Sequence, residues 1–331
     1  MAVFTRRHVI AGATAAATLS PLAKICPAGA AAPTAGKQVP GWYRYKVGTI
    51  EVTVVTDGAN KFKFADDHVL NKTRDEVNAA LGQAYYDRDV LTTPYNPIAV
   101  NTGTKLVVID TGTGEAAYER SKGATGQFLS NLAAAGIDAK AVDAVIISHY
   151  HGDHINGLLN AKNELAYPNA EILVPAAEHQ FFMDDGEMSR APKGRMETVF
   201  KNARRVFSAE VLKRVRTYEP GKDVVAGIAA VATNGHSWGH NSHIISSGSN
   251  AVYVQADVTH VPWLFVRNPG WHAFYDQDPA KAEETRRKVY DMLVAERMQV
   301  QGFHYPFPSL AHVEKSGTGY REIPAAWNPT I

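Results

Sequence analysis

The apolar run Val142-Asp143-Ala144-Val145-Ile146-Ile147 ends in Ser148-His149-Tyr150-His151-Gly152-Asp153-His154, and no other stretch restricts the fold so tightly. Such a run predicts a buried strand over Val142–Ser148. Three of the chain's 13 histidines and one aspartate then fall within six positions. Where a strand gives way to a loop, residues two apart can point the same way, so His149 and His151 can grip one cation. Asp153 and His154 follow on the loop and point toward a second. Imidazole together with carboxylate suits zinc, and also manganese, iron or cobalt. Following a buried strand and containing a glycine turn, the run differs from a histidine-rich surface loop.

Further donors stand at further strand ends. Thr233-Asn234-Gly235-His236-Ser237-Trp238-Gly239-His240 closes one strand, Val254-Gln255-Ala256-Asp257 a second and Gly302-Phe303-His304 a third. Strand-like runs cover Trp42–Val47, Ile50–Thr56, Ile98–Asn101, Lys105–Ile109, Glu171–Val174, Ile228–Thr233, His243–Ser247, Ala251–Ala256 and Gln299–Phe303. Helical spacing covers Gly126–Ala135 and much of Ala191–Val215, and Asp278-Pro279 opens a helix to about Arg297, with Asp278 as N-cap. Residues 58–97 read as an irregular polar loop with one helix near Thr73–Leu81. The order of elements predicts one mixed α/β domain. Aromatic residues after Asp257 (Trp263, Phe265, Trp271, Phe274, Tyr275) suggest an apolar substrate wall. Residues 155–235 suggest a cap, with Phe181, Phe182 and Met183 as wall residues.

The formal net charge of +1 carries no electrostatic footprint for nucleic acid. Thr5-Arg6-Arg7-His8-Val9-Ile10, an Ala-rich stretch and the small residues Ala28–Ala32 read as a twin-arginine export signal over residues 1–32. The stretch is too short and too weakly apolar for a membrane anchor. A periplasmic or secreted domain over residues 33–331 is expected. The single cysteine, Cys26, falls in the signal, so the mature chain would have no disulfide, thiolate ligand or cysteine nucleophile.

The run HxHxDH, the Gly-His-x-x-Gly-His segment, the Asp after a strand, the late His and the Asp110-Thr111-Gly112 turn resemble the metallo-β-lactamase-fold hydrolases. Within them the chain is most similar to the methyl parathion hydrolase group, related to the acyl-homoserine lactonases. The run His312-Val313 with Gly319-Tyr320-Arg321 and Pro324 resembles that group too. The resemblance implies a four-layer αββα sandwich with two Zn²⁺ per chain at one edge. It implies His149, His151 and His236 on the first metal, Asp153, His154 and His304 on the second, Asp257 bridging them, and His240 behind the ligands. The reaction implied is attack by a metal-bridging hydroxide on a lactone, ester or phosphotriester, with Asp153 orienting it. A β-lactamase, or a single-iron dioxygenase on the same scaffold, are the alternative activities. His260, where the lactonases carry Tyr, is a candidate to stabilise the oxyanion or protonate the leaving group. Ala256 replaces the usual Gly before the bridging Asp, and Trp238 stands where a small residue is common and is expected to reshape the pocket. The partner expected is an apolar small-molecule ester or lactone; a homodimer is compatible with the chain.

Overall fold

Alternate residues of the central strands face two different cores. Val107, Ile109, Ala144 and Ile146 enter one apolar cluster, whereas Val108 and Val145 enter another. The strand around Ala144 is therefore apolar on both faces, as a continuous hydrophobic run requires. The structure is a computed structural model and describes residues 34–36 and 38–331. The expected export signal, with Cys26, lies outside the described residues. One unit ends at Val39, and its described residues carry no helix or strand; the second runs from Pro40 to Ile331 and contains every element below.

Up to the middle of the chain the strands are β1 (Trp42–Val47), β2 (Ile50–Val55), β3 (Gly58–Lys63), β4 (Val90–Tyr95), β5 (Ile98–Asn101), β6 (Leu106–Ile109), β7 (Ala144–Ile146), β8 (Glu171–Pro175) and β9 (Val215–Tyr218). Seven of them form one sheet in the order β1-β2-β5-β6-β7-β8-β9, parallel from β6 onward. The later strands are β10 (Asp223–Val225), β11 (Ile228–Ala232), β12 (Asn241–Ser247), β13 (Asn250–Ala256), β14 (Gln299–Gly302), β15 (Leu310–Ser316) and β16 (Gly319–Pro324). These seven form a second sheet in sequence order, in which only β13 and β14 run parallel.

The sheets share a core that includes Val52, Val54, Val100, Ile146, Ile228, Ile245 and Val252. Helices Phe128–Ala134, Ala176–Met183 and Arg195–Val206 cover the outer face of the first sheet, with Phe128, Leu132, Phe182, Phe200 and Val206 buried against it. Helix Pro279–Glu296 covers the second through Val289, Tyr290 and Leu293. The layers are therefore αββα, as the resemblance implies. Among the described residues no helix is long and apolar enough to cross a membrane.

One expectation needs correction. Residues 58–97 are not an irregular loop around a single helix: β3 and β4 form a two-stranded antiparallel ribbon, with helix Arg74–Gln83 between them in sequence. The ribbon is separate from both sheets and neither of its strands holds a continuous apolar run, so it gives little periodic signal; its apolar pair Phe62 and Leu91 lies directly across the strands. Much of Ala191–Val215 is helical, as expected, in helices Arg195–Val206 and Ala209–Leu212; Gly194, at φ +99°, precedes the first and Val215 opens β9 after the second.

Candidate metal centre

Sheet direction brings the donors together. β6 and β7 run parallel, so Asp110 and the Ser148–His154 segment leave the same edge of the first sheet. β11 and β13 are each antiparallel to β12, and β13 is parallel to β14, so the ends of β11, β13 and β14 share one edge of the second. These ends carry His236, Asp257 and His304. The edges meet where Asn241 N donates to Ser148 O at 3.1 Å.

Three imidazoles converge first. His149 Nε2 lies 3.0 Å from His151 Nδ1, which lies 2.7 Å from His236 Nε2. Tetrahedral ligands of one zinc stand about 3.3 Å apart for bonds of about 2.0–2.1 Å. Tyr150, between the two histidines, turns the other way and stacks on Phe207. The outer ring nitrogens settle the tautomers. His149 Nδ1 donates to Ser148 Oγ, whose hydroxyl is given to Asp110 Oδ2, and His236 Nδ1 donates to Asp276 Oδ1 at 2.8 Å. Their Nε2 lone pairs are left bare toward the cluster. Burial drives the pKa values of His149, His151 and His236 well below the ordinary imidazole range, so they stay neutral.

The second group is richer in negative charge. His154 Nε2 lies 3.6 Å from Asp153 Oδ2 and 3.2 Å from Asp257 Oδ1. His304 Nε2 lies 3.5 Å from Asp153 Oδ2 and 3.2 Å from Asp257 Oδ2. Nδ1 of His154 donates to Asp110 Oδ2 and Nδ1 of His304 to the Pro94 carbonyl, each at 2.8 Å. Burial lowers the pKa of His154, but Asp257, Asp110 and Asp153 override it and raise it well above the imidazole range. Burial raises Asp257, yet His304, His154 and His260 hold its carboxyl well below the carboxylate range. This half of the site demands positive charge. Buried His154 Nε2 and Asp257 Oδ1 have only each other, 3.2 Å apart, and no further partner; a cation between these two would satisfy both. The residues present therefore fit bound divalent cations, and the clusters His149/His151/His236 and Asp153/His154/His304 are of metal-binding type.

Other residues hold these loops in place. Glu178, fully buried, accepts from Tyr150 N, Gly239 N and Ser237 Oγ, and so ties the His149–His151 segment to the His236–His240 segment. A Cβ on Gly239 would fall 2.2 Å from Glu178 N, and one on Gly235 2.4 Å from Ala282 N, which accounts for both glycines of the segment. His240 stands behind the converging donors: its Nε2 accepts from Asp257 N at 3.1 Å and its Nδ1 faces Thr233 Oγ1 at 2.8 Å. Ala256 has φ +48°, the left-handed region in which glycine is relaxed and alanine strained.

The centre floors a cavity of about 270 Å³. His151, Asp153, His236, Asp257, His260 and His304 face it, and Phe62, Leu91, Tyr95, Val261, Phe274 and Tyr275 form apolar walls. His260 lies in the cluster itself, with Nε2 3.1 Å from Asp257 Oδ2. Several expected wall residues are elsewhere. Phe182 is core, and Phe181 and Met183 pack against that core. Trp263 and Phe265 belong to the cluster beneath the wall. Trp238 is 60% exposed and stacks on Phe181 outside the cavity, so it does not reshape it. The β3–β4 ribbon supplies the missing wall, and Arg195, from the cap, supplies a charge; neither has a local motif that could have placed it. Asp276, which orients His236, follows two aromatics with no spacing signal of its own.

Residues 92–288 match the family described as the metallo-beta-lactamase superfamily. A comparison with curated proteins finds no match. Among solved structures the chain is similar to hydrolase AbOPH of the β-lactamase superfamily, with 28% identity and a TM-score of 0.80 over 88% of this chain and 100% of that one. It is similar in fold to AidC, a dizinc quorum-quenching lactonase, with 24% identity and a TM-score of 0.79 over 87% of this chain and 98% of the other. A probable metal-dependent hydrolase from Staphylococcus aureus shares the fold at 20% identity and a TM-score of 0.69, over 87% of this chain and 100% of that one.

Proposed function

Because the chain belongs to the metallo-β-lactamase superfamily, we propose that it is a hydrolase that holds two zinc ions and cleaves an ester-like bond in a lactone, carboxylic ester or phosphotriester. The observation that carries this reading is two convergent donor sets sharing Asp257 on the floor of an apolar cavity. When bound, such a metal pair supplies activated water at neutral pH and polarises the oxygen of the bond to be broken. His149, His151 and His236 would hold one cation, Asp153, His154 and His304 the other, and Asp257 both.

The remaining steps belong to the chain's own side chains. Asp153 is 27% exposed, the most open of these ligands, and its carboxylate is placed to orient the attacking water and accept its proton. Burial lowers the His260 pKa although Asp257 opposes it, so a neutral imidazole lies within reach of an oxygen in the cavity. In this reading its N–H, which points to Asp257 Oδ2, hydrogen-bonds the developing oxyanion, and the proton taken up by Asp153 passes on to the leaving oxygen. Phe62, Leu91, Val261 and Phe274 exclude water and receive the apolar part of the substrate. Hydrolase AbOPH, the more identical of the similar structures above, supports hydrolysis. The Thr5-Arg6-Arg7 pattern supports export by the twin-arginine route as part of the same proposal.

The test is a panel of lactones, aryl esters and phosphotriesters with the zinc-loaded protein. Turnover in at least one class, removed by chelation and restored by zinc, is expected. Absence of turnover in all three contradicts the reading.

A further inference from the structure

Among the described residues Arg195 is the only lysine or arginine facing the cavity. It opens helix Arg195–Val206, and its guanidinium lies 5.7 Å from the centre of the Phe274 ring. Among the described residues it makes no ion pair within 4.0 Å. Its Nη2 lies 3.2 Å from His151 Nε2. Arginine only donates, so that contact is a hydrogen bond only if His151 Nε2 is bare and its proton sits on Nδ1. Nδ1, however, is the nitrogen that faces His149 and His236. Once Nδ1 gives its lone pair to a cation, the proton must move to Nε2, and two N–H groups then confront each other across 3.2 Å. An anionic oxygen placed to accept from both relieves that conflict and gives Arg195 the counter-charge it lacks.

We propose that Arg195 and the outer nitrogen of His151 form a carboxylate-binding subsite, so that the preferred substrate carries a carboxylate in addition to its scissile ester. The subsite lies across the His151 ring from the metal-facing nitrogen, so the group it holds is an anchor and not the bond that is broken. The inference rests on the hydrolase reading above, and it favours anionic esters over neutral ones of the same length.

A matched pair tests it: 4-nitrophenyl valerate and the 4-nitrophenyl monoester of glutaric acid, which differ by a terminal methyl against a terminal carboxylate. In the zinc-loaded protein kcat/KM should favour the carboxylate ester by at least about tenfold, since hydrogen bonds to charged groups are among the strong ones. Arg195→Gln should reduce that ratio about tenfold, mainly through KM, and Arg195→Lys should keep part of it. Calorimetric binding of glutarate against valerate gives a readout without turnover; a glutarate preference should be present in the wild type and lost in Arg195→Gln. An equal fall on both esters in Arg195→Gln, or no carboxylate preference in the wild type, overturns the subsite. An Arg195-dependent glutarate preference with no turnover of either ester upholds the subsite and overturns the hydrolase reading.

Discussion

Asp110 connects several side chains at once. It accepts from Ser148 N and Oγ and from His154 Nδ1, so one carboxylate fixes the loop that starts the metal run and the tautomer of a ligand. Outer groups of this kind carry about 10–100-fold in metal affinity. Asp110→Asn should weaken zinc binding by that factor while the protein stays folded, measured by competition with a chelator; unchanged affinity would remove Asp110 from the site. His151→Ala should abolish turnover yet leave a cooperative unfolding transition, because sheet and helix packing, not metal alone, builds the core. His260→Ala should lower kcat at least about tenfold with zinc content unchanged, and His260→Tyr should recover part of the loss on a lactone. Wild-type kcat in His260→Ala would reduce that residue to part of the floor. The convergence of His149, His151, Asp153, His154, His236, Asp257 and His304 was legible in the sequence because each follows a strand whose apolar run marks it. Asp276, Glu178 and Arg195 were not, because their roles depend on which elements pack together, and no spacing along the chain reports that.

At the level of elements, most strands of the two sheets and the helices Phe128–Ala134 and Pro279–Glu296 were readable from period and caps, whereas β9, β10, β15 and β16 were not; Asp278 does accept from Lys281 N at the second of these helices. The β3–β4 ribbon was not, since its strands are far apart in sequence and neither holds a continuous apolar run. The turn from β13 into Asp257 is a place where sequence and backbone disagree. Ala256 sits at φ +48°, where a Cβ costs about 1–2 kcal/mol, partly offset by the entropy glycine adds to the unfolded chain, about 0.4–1 kcal/mol. Ala256→Gly should therefore raise stability by about 0.5 kcal/mol in urea denaturation; a clear loss would mean the turn is not strained. Gly239→Ala should do the opposite, because its Cβ would collide with the backbone at Glu178, 2.2 Å away, and push apart the segments that Glu178 joins. Loss of zinc affinity together with stability is the outcome to look for.

The whole molecule folds around many neutral imidazoles. Burial pulls the pKa of His240 and of His243 from 6.5 to about 4. A group with a depressed folded-state pKa contributes stability that is complete above the unfolded value, so it is lost as the pH falls from about 6.5 to about 4. Each can account for about 3 kcal/mol over that window. His243 faces Tyr218 Oη and is no metal ligand, so it isolates the effect. His243→Gln should lose less stability than wild type between pH 7.5 and 4.5; zinc release is common to both proteins, and parallel losses would refute the assignment. The central claim is the one proposed for the centre itself: that seven side chains from four strand ends, brought to one edge of a sandwich, would hold two cations and share Asp257 between them. Elemental analysis of the purified protein after zinc supplementation tests this most directly. Two zinc ions per chain are expected, falling in Asp257→Ala, whereas one zinc or fewer per supplemented wild-type chain would contradict the account.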